Sequence, residues 1–126
     1  MIYKLLLIGA GGFLGAIARY SIGGYVNGLL EKSGFHYGTM FVNIVGCLLI
    51  GLLSGLAESK DVLTPEIRML VIVGFLGAFT TFSAFGLETF RLIDNAMVLK
   101  ALLNIGGQVV FGLIAVWIGF VLSRVF

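Results

Sequence analysis

The chain has 126 residues, 60% of them hydrophobic and only 11% charged, with a mean hydropathy of +1.13. A soluble domain carries about twice that charged fraction, so the composition is that of a membrane protein, with room for four spans of about 20 to 25 residues and short connections. The net charge of +2 is too small to suggest a nucleic-acid partner. Cys47, the single cysteine, lies in an apolar run and is read as a packing residue, and no intrachain disulfide is possible. The N-terminus runs directly into the first span without a small-residue cleavage site, so no cleaved leader is expected.

The first span is predicted over Leu5–Leu29. Gly11 and Gly15 form a small-xxx-small pair that lets another helix approach closely. Lys4 marks one end, and Arg19 lies about 22 Å further along at helical rise. Two readings stay open for Arg19: a snorkelling arginine beside Tyr20, or a cation at the mouth of an anion pathway. A polar loop is expected over Glu31–His36. His36 has no metal-ligand partner at helical spacing and is read as a surface residue.

The second span is predicted over Tyr37–Ala57. Thr39 and Asn43 are four residues apart and share a face near its start. An asparagine amide needs hydrogen-bond partners in lipid, so Asn43 faces the bundle interior, either as interhelical glue or as a pore-lining donor. Gly51 and Gly55 supply another close-contact pair. After a second loop over Glu58–Thr64, the run Thr64-Pro65-Glu66 reads as a helix start: an N-cap hydroxyl, proline at the first helical position, and an acid at the positive helix end.

The third span, Ile67 to about Ile93, holds the densest pattern in the chain, Gly74-Phe-Leu-Gly-Ala-Phe-Thr-Thr-Phe-Ser-Ala-Phe-Gly-Leu-Glu88. Gly74 and Gly77 weaken the helix just before two adjacent β-branched hydroxyl residues, Thr80 and Thr81. Phe82 and Phe85 share a helix face, Ser83 lies between them, and Glu88 follows one turn on. Glycines and phenylalanines at helical spacing are commonly packing residues, but this combination predicts two half-helices joined by an unwound segment near Gly77–Thr81. Non-helical backbone at membrane depth is tolerated only where it is buried in protein or lines a wet cavity, which makes the segment a candidate ion site. A short loop near Asp94–Met97 leads to the fourth span, Val98–Leu122. There Asn104, Gln108 and Gly112 make a polar stripe that must face protein or water, and Trp117 reads as an interfacial anchor.

With four spans, Lys4, Lys60, Arg68 and Arg124 lie on one side and Arg19, Lys32, Arg91 and Lys100 on the other. Four against four gives the positive-inside rule nothing to act on. The expectation is insertion in both orientations, with the two pairing about an axis in the membrane plane.

The Thr-Thr-Phe-Ser-x-Phe run and its flanks resemble the signature of the Fluc or CrcB family of small bacterial fluoride channels. Gly11-Gly12-Phe13-Leu14-Gly15-Ala16-Ile17-Ala18-Arg19-Tyr20 and Gly38-Thr39-Met40-Phe41-Val42-Asn43-Ile44-Val45-Gly46 resemble that family's first- and second-helix motifs, in the same order and spacing. The resemblance covers essentially the whole chain. It implies one four-helix transmembrane domain over residues 1–126 in the inner cell membrane, with the third helix broken at its centre, assembled as an antiparallel homodimer in lipid. It implies passive export of fluoride past the edges of Phe82 and Phe85 with Asn43 beside them, and Arg19 near the pore entrance. It also implies a structural sodium ion at the dimer centre, held by backbone carbonyls of Gly77 and Thr80. Thr39, Thr81, Ser83, Glu88, Asn104 and Gln108 complete the candidate pathway. Asn104 and Gln108 depart from the hydroxyl and phenol groups common in relatives.

The chief rival is a small four-helix dimeric multidrug or cation transporter, which would need a carboxylate in its first span; none is present between Leu5 and Leu29. An accessory membrane subunit is the second rival. A membrane enzyme is disfavoured, since the chain contains neither His-Glu-x-x-His nor Gly-x-Ser-x-Gly and no cysteine–histidine pair at ligand spacing.

Overall fold

The computed structural model describes residues 1–30, 34–60 and 63–125. Helices α1 (Ile2–Leu30), α2 (Tyr37–Lys60) and α6 (Val98–Ser123) are continuous. The third span is assembled from α3 (Pro65–Ile67), a π-helix (Arg68–Leu76), α4 (Gly77–Phe79) and α5 (Phe82–Asp94). The stretches Ile2–Leu30, Tyr37–Glu58, Pro65–Asp94 and Val98–Ser123 are each long and apolar enough to cross a membrane. The chain is an all-α, multi-pass membrane protein.

Two boundaries move from their expected positions. The first helix begins before Leu5, because Met1 O accepts from the N–H groups of Lys4 and Leu5. The second runs past Ala57 to Lys60, since Glu58 and Lys60 favour helix and neither glycine nor proline stops it. Residues 31–33 of the first expected loop and 61–62 of the second, with Lys32 among them, lie outside the described residues. The Thr64-Pro65-Glu66 start forms as expected: Thr64 Oγ1 accepts from Ile67 N at 3.3 Å, with proline and the acid in the first turn.

The bundle is inside-out relative to a soluble one. On α6 the buried residues are Ala101, Asn104, Gly112, Ala115, Gly119 and Ser123, while its leucines and Phe111 face outward. The outward groups meet lipid at no hydrophobic cost, so close backbone packing decides the interior. A methyl group at Gly11 or Gly15 would collide with the carbonyl of Leu70 or Phe75 on the π-helix, and one at Gly51 or Gly119 would collide across the α2–α6 contact with the carbonyls of Val116 and Leu48. Both small-residue pairs of the first two helices thus sit at helix contacts; at Gly55 the group met is the Ser123 hydroxyl. The apolar core is Val42, Leu76 and Phe79, directly beneath the interruption of the third span.

Candidate ion pathway

The interruption falls at Thr80–Thr81, the C-terminal edge of the expected Gly77–Thr81 window. Gly77 is helical, at φ −61° and ψ −35°, whereas Thr80 (−86°, 155°) and Thr81 (−151°, 117°) are extended. The threonines set the position because their branched side chains suit extended backbone and their hydroxyls substitute for lost helix bonds. Thr80 donates from both N (3.0 Å) and Oγ1 (2.9 Å) to Leu76 O. Thr81 Oγ1 accepts from Ala84 N at 3.2 Å and so caps α5; it also lies 3.3 Å from Ser83 Oγ.

Asn43 completes the break from α2. Its Oδ1 accepts from Thr81 N at 2.8 Å, and its Nδ2 donates to Thr81 O at 3.1 Å. The side-chain amide therefore pairs with the extended backbone as a neighbouring strand would. The second Nδ2 hydrogen goes to Gln108 Oε1 at 2.7 Å. An amide nitrogen has two hydrogens, so both of Asn43's are committed within the protein. In a continuous helix Thr81 N–H would serve Gly77 O; committed to Asn43, it leaves that carbonyl without its helical donor.

Gln108 passes the chain of bonds onward along α6. Its Nε2 donates to Asn104 Oδ1 at 3.0 Å. Asn104, only 2% exposed, donates to Thr89 Oγ1 at 2.9 Å, and Thr89 donates to Phe85 O at 2.8 Å. The polar stripe of the fourth span does face protein. Thr89 is a site-adjacent residue that the sequence does not announce: a lone threonine in a helix usually bonds its own preceding turn, and only the packed α5–α6 contact shows what reaches it.

Two cavities flank the break. One, of about 410 Å³, is lined by Asn43, Gly77, Thr80, Phe82, Phe85 and Gln108 among others. Its two rings lie 5.5 Å apart at 48°, and Phe82 is 83% exposed. The other, of about 600 Å³, takes in Arg19, Asn27, Thr39 and Ser83. Thr81 lines both. Asn27 Oδ1 accepts from Gly38 N at 2.8 Å, tying α1 to the start of α2. Thr39 and Asn43 reach different parts of the third span: Thr39 Oγ1 donates to Glu88 Oε1 at 2.5 Å, one helical turn and more beyond the break. Glu88 Oε2 is buried with no partner among the described residues. Glu88 and Asn104 line neither cavity.

Comparison with known proteins gives a consistent picture. Residues 6–120 match the family model described as "CrcB-like protein, Camphor Resistance (CrcB)". A protein of Methanosarcina acetivorans named "Fluoride-specific ion channel FluC 1" is 43% identical over 117 residues, covering 93% of this chain and 88% of the relative. Proteins named "Fluoride-specific ion channel FluC" from Methylobacillus flagellatus and Maridesulfovibrio salexigens are 41% and 42% identical over 122 residues, covering 97% of this chain and 95% and 96% of the relatives.

Proposed function

The chain belongs to the CrcB-like family, and from that membership we propose that it is a fluoride-selective channel passing the ion down its gradient across the membrane. The observation that carries this is the Thr80–Thr81 break, braced by Asn43 and opening onto Phe82, Phe85 and Gln108. Fluoride is small and strongly hydrated, so a pathway must replace its water with donors and positive edges. The Thr81–Ser83 hydroxyl pair, which has one hydrogen to spare after its mutual bond, and the uncommitted Nε2 hydrogen of Gln108 are the donors at this level. Aromatic edges are electropositive, so Phe82 and Phe85 favour an anion lying in the plane of their rings. Asn43 acts on the backbone rather than on the ion, since its hydrogens are spent. Arg19, beside Thr39 and Ser83 in the second cavity, raises the local anion concentration. No enzymatic step is involved.

The channel works as an antiparallel homodimer, supported by the balanced lysine and arginine count on the two sides. Phe82, almost wholly exposed on one protomer, then has a second copy to face. A structural sodium ion fits the carbonyls of Gly77 and Thr80. They are uncharged oxygen donors at a half-helix C-terminal end, where partial negative charge collects, and Gly77 O has lost its helical donor to the Asn43 clamp. The ion would supply a fixed positive charge cross-linking two protomers.

Purified protein in liposomes tests the function: fluoride efflux is expected with little chloride efflux under the same gradient, and equal rates for the two anions refute selectivity. The rival cation transporter gains nothing, because α1 carries no acidic residue.

A further inference from the structure

The five bonds running from Thr81 to Phe85 through Asn43, Gln108, Asn104 and Thr89 have a single direction. Amide oxygen and nitrogen are assigned from their network, and here the network permits one assignment. The Thr81 backbone fixes Asn43, because its N–H must meet Oδ1 and its C=O must meet Nδ2. Asn43 Nδ2 then requires the oxygen of Gln108, which requires the oxygen of Asn104 at the next link. The chain ends on Thr89, whose hydroxyl accepts from Asn104 and donates to Phe85 O. Turning Asn43 or Gln108 over would set donor against donor and acceptor against acceptor, and turning Asn104 over would set its Nδ2 against Gln108 Nε2 and draw the Thr89 hydroxyl away from Phe85 O.

The other end matters as much. Asn104 and Thr89 are buried, at 2% and 7% exposure, and line neither cavity. Gln108 does line the cavity of Phe82 and Phe85, and one of its two Nε2 hydrogens is used by Asn104. The remaining hydrogen is the amide donor that the chain of bonds leaves over at that level.

We propose that Thr89 and Asn104 are positioning residues of the pathway: they hold Gln108 with its spare hydrogen toward the cavity, and they tie the backbone of Phe85, whose carbonyl receives the last bond, to that same amide. This rests on the fluoride-channel function proposed above. The two buried residues never meet the ion. Their role is to make the ring and the donor one unit, so that replacing a hydroxyl a helix away from the cavity changes how the anion is held.

The test is fluoride and chloride efflux from liposomes for the wild type, Thr89→Val, Thr89→Ser and the double variant Thr89→Val/Asn104→Leu, each checked by size-exclusion chromatography. Valine keeps the shape of threonine and removes the hydroxyl; serine keeps the hydroxyl. The double variant leaves neither member of the buried pair as an orphan, so it keeps the test open should the orphaned Asn104 amide of a lone Thr89→Val cost that variant its fold. Expected are at least a tenfold loss of fluoride flux and a lower fluoride-to-chloride ratio in Thr89→Val and the double variant at wild-type elution, with Thr89→Ser within about twofold of wild type. A change in that ratio is a readout that a purely packing role would not move. Wild-type flux and ratio in a folded double variant overturn the positioning role while leaving the channel function standing. Absence of fluoride flux from the wild type overturns the channel function itself.

Discussion

Replacing Asn43 by leucine removes the clamp at the break while roughly keeping its volume. Three groups lose their partner: Thr81 N–H, Thr81 C=O and Gln108 Oε1. In water-based proteins each such bond contributes about 0.5–1.5 kcal/mol net, and interhelical polar contacts in membranes average about 0.6 kcal/mol. Three bonds therefore give about 2–3 kcal/mol in favour of the clamped break. At about 1.4 kcal/mol per factor of ten, its population relative to competing backbone arrangements falls roughly 30- to 150-fold. Asn43→Asp is the complementary variant: one carboxylate oxygen still accepts from Thr81 N, but the other is turned on two acceptors, Thr81 O and Gln108 Oε1, and brings a negative charge to an anion path. Both variants are expected to fall below wild type in fluoride efflux and in resistance to thermal aggregation, with Asn43→Asp no better than Asn43→Leu in efflux. If Asn43→Leu keeps both wild-type stability and wild-type flux, the amide does not hold the break.

Phe82→Ile and Phe85→Ile each remove a ring edge; a mainly apolar swap costs about 1.5 kcal/mol or less in stability, so an intact dimer with fluoride efflux down by orders of magnitude is expected, and near-normal flux in the Phe82 variant would assign that ring to packing. Gly77 has room for a side chain within one protomer, its nearest neighbour to an added Cβ being Ile72 O at 3.9 Å, so Gly77→Val should leave the chain folded and abolish dimerisation and transport, whereas Thr80→Ser, which keeps the hydroxyl bond to Leu76 O, should be mild; size-exclusion chromatography with and without sodium checks both. The balanced charges predict that a compartment-sensitive reporter at the C-terminus reads both orientations in comparable amounts and that two or three added lysines at one terminus bias it; a single orientation in the unmodified chain would refute dual insertion.

The spans were legible because lipid demands long apolar helices, and the Thr64-Pro65-Glu66 start because capping chemistry is local. The break was legible as a region, but its position turned on which residue could replace the missing helix bonds. Glycine lowers the cost of leaving the helix; it offers no substitute partner, so Gly77 stays helical while Thr80 and Thr81 cap the two ends. The π-helix over Arg68–Leu76 had no sequence signal, since the apolar run there is hydrophobic on every face and carries no period. The turn after α5 falls where the short loop near Asp94–Met97 is expected; its backbone form is what the sequence does not show. It closes with Met97 N on Leu92 O and Ala96 N on Ile93 O, placing Ala96 at φ 57° where glycine is the usual occupant. Thr89 and the order of donors along Asn43, Gln108 and Asn104 depend on how α2, α5 and α6 pack, which spacing within one helix cannot give.

The same break separates the two charges that the proposed function requires. Breaking a helix creates two new ends, one rich in carbonyl oxygens and one rich in N–H groups. The α4 end has its acceptors left over, because Thr80 N–H turns back to Leu76 O and Thr81 N–H goes to Asn43. At the α5 end the capping hydroxyl of Thr81 takes Ala84 N–H, so the first N–H groups, those of Phe82 and Ser83, have no intrahelical acceptor. Those two residues carry the ring and hydroxyl assigned to fluoride, and Gly77 on the other side carries the carbonyl assigned to sodium. Between the two ends, Asn43 takes both backbone groups of Thr81, so the Thr81 N–H and C=O are committed within the protein: the acceptors left for a cation are on the Gly77–Thr80 side, and the donors left for an anion begin at the Thr81 hydroxyl and the α5 end.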